Sequence, residues 1–237
     1  MTERLAIPGT RDLAEELAVS RPWWQCSACF NVAVSHSVPV ARMYGAESEG
    51  VMMRWGLLVP GEVAGTVSFG PALVQSESLL SHAAVRGAWL NGQRGILPVA
   101  GFYVWQRHPG GFRQPHYVRV AARRVFGLAV VWQRCTSSED DVLESCALVT
   151  VRANPLLAGL DNTGGLMPAI LRREQQDEWL RANAARARDM LAAYPEGEMA
   201  AHPVGPYVNH LVFDGPHLIQ AAGAHGPGAQ AGRSPMP

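Results

Sequence analysis

The chain contains no lysine, and all twenty of its basic residues are arginine. Without a side-chain amine, Schiff-base chemistry is excluded everywhere except at the N-terminal amine. A long apolar run is also missing. The most hydrophobic stretch, residues 57–74, is broken by Pro60, Gly61, Glu62, Gly65, Gly70 and Pro71, so nothing approaches the roughly 18 apolar residues of a membrane helix. Residues Met1 to Thr10 mix acid and base and lead into a charged segment, which is not the pattern of a secretory signal. A cytoplasmic protein without membrane partners is expected.

Cysteine is scarce: Cys26, Cys29, Cys135 and Cys146 are the four in the chain. Free thiols are the expectation for such a chain in a reducing compartment. Cys26 and Cys29 have the spacing of a redox or zinc motif, but the second pair is wider apart and no βαβ pattern surrounds the first. The eight histidines show no ligand-like spacing, and His202, His210 and His217 read as residues at the edge of the core. No metal or other cofactor is expected.

Acid is absent from one long segment. Twenty acidic residues balance the arginines overall, yet none lies between Ser78 and Ser138, where Arg86, Arg94, Arg107, Arg113, Arg119, Arg123, Arg124 and Arg134 occur. Trp89, Phe102, Tyr103, Trp105, Phe112, Tyr117 and Trp132 are interleaved with them. Arginines and aromatics mixed in this way suit a surface that neutralises phosphates and stacks bases. The competing reading is a sheet whose arginines are scattered over several faces and paired with the acids of 139–144. Composition alone does not choose between them.

A chain of 237 residues buries enough surface, roughly 70% of what it exposes unfolded, to hold a core without disulfides or metal. One domain over 1–222 is expected, followed by a mobile Gly-, Ala- and Pro-rich tail over 223–237. Residues 11–19 read as a short helix with Thr10 as N-cap. Short β-branched and aromatic runs follow at 30–34, 51–58, 95–105, 116–120, 125–132 and 146–151. Residues 171–194 contain neither glycine nor proline and place Leu180, Ala184, Ala187 and Leu191 on one stripe, which predicts a single long helix. Residues 207–213 and 217–221 look strand-like. Trp23 and Trp24, after a helix-ending proline, are expected in the core.

Several short segments occur in a telling order: Phe30-Asn31-Val32-Ala33, then Arg54-Trp55-Gly56-Leu57 with Pro60, then Gly101-Phe102-Tyr103-Val104-Trp105 with Gln114-Pro115. Leu148-Val149-Thr150, Ala153-Asn154, Met167-Pro168-Ala169-Ile170-Leu171, His202-Pro203-Val204, Val208-Asn209 and Asp214-Gly215-Pro216-His217 complete the set. No piece is specific alone, but together and in sequence they resemble the SRAP domain, a family that processes abasic sites in DNA. The resemblance implies an α+β fold with curved mixed β-sheets forming a pseudo-barrel and helices packed outside.

It also implies a reactive centre. Chains of the family begin Met-Cys-Gly-Arg; once the methionine is removed, the cysteine amine and thiol capture the ring-opened sugar of an abasic site as a thiazolidine. The Asn of an Asn-Ala-Arg-x-Glu motif, the Glu of Gly-Trp-Phe-Glu-Trp and the His of His-Asp-Arg-Met-Pro surround that product. Here the catalytic positions fall on Thr2, Val104 and Asp161. The Asn-Ala-Arg-x-Glu stretch falls on Val74 to Ser78, with Gln75 and Glu77 each one position from a family residue, and the histidine region, residues 160–166, has no histidine.

A threonine with a free amine can act as a nucleophile, but the amine belongs to Met1 until that residue is removed, and a neutral hydroxyl attacks far less readily than a thiolate. The expectation is a divergent member that binds single-stranded or damaged DNA in the DNA-damage (SOS) response and has lost crosslinking and autoproteolysis. The resemblance points to Arg4, Asn31, Arg86 and Arg94 as DNA contacts. Two other readings remain: an active peptidase or crosslinker using Thr2, and a partner-binding relic without DNA affinity.

Overall fold

The computed structural model describes residues 3–17, 19–61, 66–136, 141–160 and 165–223. Its elements, in chain order, begin with β1 (Arg4–Ile7), α1 (Thr10–Glu16), β2 (Arg21–Pro22), β3 (Cys29–Ala33), β4 (Ser37–Tyr44) and β5 (Glu47–Trp55). Then come β6 (Leu58–Pro60), β7 (Val67–Phe69), β8 (Leu73–Gln75), α2 (Ala83–Leu90), β9 (Arg94–Val99), β10 (Gly101–Arg107) and β11 (Arg113–Val120). The rest are β12 (Phe126–Thr136), β13 (Val142–Arg152), α3 (Pro155–Leu160), β14 (Leu166–Pro168), β15 (Ile170–Leu171), α4 (Gln176–Arg181), α5 (Ala184–Asp189) and β16 (Met199–Pro203).

Five strands, the three longest among them, build a closed barrel. From Cys146 to Val151, β13 is buried at every residue, the apolar run of a strand covered on both faces. It pairs antiparallel with β12, which pairs with β9; β9 pairs with β4 and β4 with β5. A parallel pairing of β5 with β13, Ser145↔Arg54 and Cys146↔Trp55, closes the ring of five strands. Closure removes the exposed edges that an open sheet presents. The seam is secured by Ser145, whose Oγ accepts from Leu58 N–H at 2.8 Å, and by Trp55, whose indole donates to Ala72 O at 3.1 Å.

One ionic network spans the barrel wall. Arg42 donates to Glu49 at 2.7 Å and to Glu144 at 2.8 Å, and its guanidinium lies 4.4 Å from the centre of the Trp132 ring. Arg134 reaches the same Glu144 oxygen at 2.8 Å, as the ion-pair reading of the arginine-rich segment anticipates for this residue. Burial opposes the Glu144 charge, but hydrogen bonds from Arg42 and Arg134 outweigh it and hold the carboxyl below the usual carboxylate range.

A second sheet, in the order β16-β11-β10-β1-β3, packs beside the barrel. Its register separates two faces. Phe102↔Val118 and Val104↔His116 face the main core, whereas Tyr103↔Tyr117 and Trp105↔Pro115 face the opposite way, beneath residues 204–219, and Arg107↔Arg113 lie exposed at the end of the same face. Gly101 is required at the start of β10, because a Cβ there would lie 2.4 Å from the Tyr117 ring.

The α+β class and the curved barrel agree with the expectation, but several local readings need correction. The long helix over 171–194 is broken: a 3-10 turn at Arg173–Gln175, α4 and α5 replace it, with Ala182 extended at ψ 155° and Asn183 capping α5 through Arg186 N–H. Residues 207–213 and 217–221 are not strands; 3-10 turns occur at Pro206–Asn209 and Pro216–Ile219, each started by a proline that fixes φ and cannot donate to a ladder. The run 95–105 is two strands on two sheets, parting at Ala100. Gly9, not Thr10, precedes the first turn of α1, and the Thr10 hydroxyl is spent on Cys26 O. Trp24 is in the core while Trp23 is 67% exposed. The expected tail, beyond Gly223, lies outside the described residues.

Candidate functional site

Two of the segments singled out by motif meet in space. β8 pairs in parallel with β13, Leu73↔Leu148 through Gln75↔Thr150, and this carries the chain into a cleft of about 510 Å³. Gln75, Glu77, Arg152, Ala153, Ala158, Gly165 and Leu166 line it. Gln75 and Glu77 come from the stretch matched to Asn-Ala-Arg-x-Glu, and Gly165 from the region matched to the histidine motif. The cleft thus joins the two, with α3 as its floor. α3 is held at its start by Asn154, whose Oδ1 accepts from Leu157 N–H at 3.0 Å and whose Nδ2 donates to Tyr194 O at 2.7 Å.

The cleft mixes charged and polar side chains, Glu77, Arg152 and Gln75, with apolar ones. Glu77 keeps its carboxyl below the usual range chiefly through its own backbone N–H and the Ser76 hydroxyl at 2.9 Å, with smaller contributions from Arg152 and Arg188. Arg152 was not singled out from sequence, where an arginine at the end of a strand carries no signal of a cleft.

The expected catalytic positions fare differently. Thr2 and Asp161 lie outside the described residues. Val104 is 2% exposed and belongs to the main core. β1 runs antiparallel to β10 with Leu5↔Phe102, so the N-terminal end of β1 points along β10 toward Val104. Directly across the ladder stands His116, 8% exposed, which sequence reasoning missed. Burial pushes its imidazole below the ordinary value, although Nδ1 lies 3.2 Å from Gln114 O. Val104 therefore leaves an apolar contact where the resemblance implies a carboxylate.

The four residues expected at DNA are dispersed. Arg86 is exposed on α2, whose other face buries Val85, Ala88 and Trp89. Arg94 is 2% exposed and ties three elements together: it donates to Trp179 O at 3.1 Å, to Trp89 O at 3.3 Å and to Ala182 O, between the Trp89 and Trp179 rings. Asn31 is 2% exposed; its amide donates to His210 O and Phe213 O, both at 3.0 Å, while its Oδ1 is buried without a partner. Arg4 is half-buried, with its Nε unpartnered, and burial lowers its pKa despite the neighbouring Glu3.

No thiol among the described residues has a lowered pKa. All four cysteines are free, and burial raises the pKa of each, that of Cys146 up to about 12. A buried thiol in apolar surroundings is protonated at neutral pH and inert. Among the described residues no group of three or more His, Cys, Asp or Glu could hold a metal ion, and no helix is long and apolar enough to cross a membrane.

Comparison with known proteins places this geometry in context. The family model described as SOS response associated peptidase (SRAP) matches residues 4–211. The abasic site processing protein YoqW of Bacillus subtilis is 24% identical over 215 residues, 89% of this chain and 94% of its own length. The abasic site processing protein HMCES of Gallus gallus is 26% identical over 194 residues, 70% of this chain but 56% of its own length. A crystal structure of a protein from Bordetella bronchiseptica superposes with a TM-score of 0.74 at 21% identity, covering 86% of this chain and 100% of that one. One from Bacteroides thetaiotaomicron gives 0.69 at 22%, covering 81% and 84%. At these identities the two structures speak for the fold.

Proposed function

This chain belongs to the SRAP family, and from that premise we propose that it binds single-stranded or abasic-site DNA in the DNA-damage (SOS) response without the family's covalent step. One observation carries the reading: the cleft between β8 and α3 is open and carries Glu77 and Arg152, while the position matched to the family's carboxylate is Val104, sealed in the core. The thiols support it: Cys135 and Cys146 are buried, Cys26 and Cys29 are half-buried, and burial raises the pKa of all four, away from the thiolate that a stand-in nucleophile needs.

Exposed Arg86 and cleft-lining Arg152 are the guanidinium groups we assign to phosphate. Arg94 and Asn31 act in the fold, Arg94 by tying α4 to β9 and Asn31 by holding residues 210–213 onto β3. Arg4 stays a candidate through its unpartnered Nε.

The relatives' names, abasic site processing proteins, favour the second reading, in which Thr2 is a working nucleophile after removal of Met1. Binding and chemistry are separable. A fluorescence titration of a labelled single strand should give an affinity that falls with salt, by a log–log slope of about −0.7 for each phosphate contacted. An affinity that is flat between about 50 and 200 mM salt, or no binding at all, would overturn the reading.

A further inference from the structure

The turn between β3 and β4 meets the end of β5 at an arginine that the cleft does not use. Arg54 stands at the seam of the barrel, opposite Ser37 on β4 and Ser145 on β13. Its neighbours Met53 and Trp55 are buried, and side chains alternate along a strand, so Arg54 points away from them. Its guanidinium is held on three sides. Nη1 donates to Gly56 O at 2.6 Å, Nη2 donates to Ser35 Oγ at 2.7 Å, and Cζ lies 4.8 Å from the centre of the Phe69 ring.

The backbone is shaped around this group. Gly56 sits at φ 104°, and a Cβ there would lie 2.9 Å from Nη1, in space that the guanidinium occupies. Ser35 sits at φ 81° and is the one residue other than glycine with a positive φ among the described residues. Ser35 N–H donates to Trp55 O at 2.7 Å and Trp55 N–H to His36 O at 2.9 Å, which fixes the turn. Glycine would adopt this conformation at less cost than serine. What serine adds is a hydroxyl. Its oxygen accepts from Arg54, so its own O–H is left to donate to something else.

All three contacts of the guanidinium are uncharged. Among the described residues no carboxylate pairs with Arg54, whereas Arg42, Arg134, Arg172 and Arg186 each meet one. Phe69, on β7 opposite Leu58, is 79% exposed although the cation lies over its ring. A positioned cation, a donor hydroxyl and an open ring therefore meet at one guanidinium. An acidic peptide would satisfy the arginine and leave the ring idle. An apolar partner would cover the ring and desolvate the cation without compensation. A unit of single-stranded DNA uses all three, its phosphate on guanidinium and hydroxyl and its base on the aromatic ring.

We propose that Arg54, Ser35 and Phe69 form a single-strand anchor made of none of the residues that line the cleft. The proposal rests on the DNA-binding reading above and extends it to a second contact on the same protein.

The test uses the full chain and a fluorescein-labelled, undamaged oligothymidylate of about 16 nucleotides, followed by anisotropy. Arg54→Gln should weaken binding by about fivefold or more and lower the salt slope by about 0.7, one phosphate contact. Phe69→Ala should weaken it by roughly fivefold or more, and Phe69→Trp should keep it within about twofold of the parent. Ser35→Gly suits the positive φ, so it should bind about twofold or more weakly while its denaturant midpoint stays at or above the parent's. Near-ultraviolet circular dichroism checks that the variants keep their packing. If Arg54→Gln lowers the denaturant midpoint but leaves the salt slope unchanged, Arg54 only braces the turn and the proposal fails. If Arg54→Gln and Phe69→Ala both bind within about twofold of the parent while Arg152→Glu binds less well, the anchor is wrong and the cleft reading stands. A parent chain that does not bind the oligonucleotide at low salt overturns both readings together.

Discussion

At the scale of single residues, the pair Val104 and His116 decides what the inner face of β10 can do. Directly opposed residues on an antiparallel pair have Cβ atoms about 4.5–5.5 Å apart, so any charge introduced at 104 acts on the imidazole at 116. Burial now holds His116 toward its neutral form. A Val104→Glu substitution should raise the His116 pKa, because a carboxylate favours the charged imidazolium, and Val104→Gln should not. Both variants should lose stability, since burying a valine side chain is worth about 1.5–3 kcal/mol. Titration of the imidazole C–H resonances by NMR checks this; an unchanged pKa in the glutamate variant would mean that the two side chains do not face each other. None of this was visible in sequence. His116 lies in a run of strand-forming residues, and only the ladder register shows what it opposes.

Among the elements, the segment from Arg172 to Met190 shows how a local pattern can mislead. Its apolar spacing fits one amphipathic helix, and no glycine or proline marks a break. The break comes from outside the segment: Arg94 draws Trp179 O and Ala182 O toward β9, and Trp179 donates its indole N–H to Gly95 O at 2.9 Å. Tertiary hydrogen bonds from a buried guanidinium outweigh the propensity of a few helical residues. Asn183 then restarts the helix, its Oδ1 accepting from Arg186 N–H at 2.9 Å. Asn183→Ala should destabilise the protein by about 1 kcal/mol, the usual worth of an N-cap, read as a shift of the denaturant midpoint at constant slope. A variant with an unshifted midpoint would show that α5 holds its place without the cap. The apolar strands were legible because they are buried and nearly continuous; the 3-10 turns after Gly205 and Gly215 were not, because aromatic and β-branched residues there serve packing against β11 and β3 rather than a ladder.

For the whole molecule, we propose that the framework and the reactive group have separate fates. The barrel depends on long-range pairings, β5 with β13 above all, and the segments Arg54-Trp55-Gly56 and Leu148-Val149-Thr150 sit at or beside that seam. Those segments help hold the ring closed, which is why the fold class could be read from them. Of the reactive positions, Val104 packs in the core as an apolar residue and keeps its place in the β10–β11 ladder. The central claim is that a DNA-binding SRAP framework persists here without its covalent chemistry. The most direct measurement is incubation of the purified chain with single-stranded DNA bearing an abasic site, followed by denaturing electrophoresis with label on the DNA. The account predicts that the DNA migrates free of protein after denaturation while still binding under native conditions; a denaturation-resistant band containing both protein and DNA would contradict it.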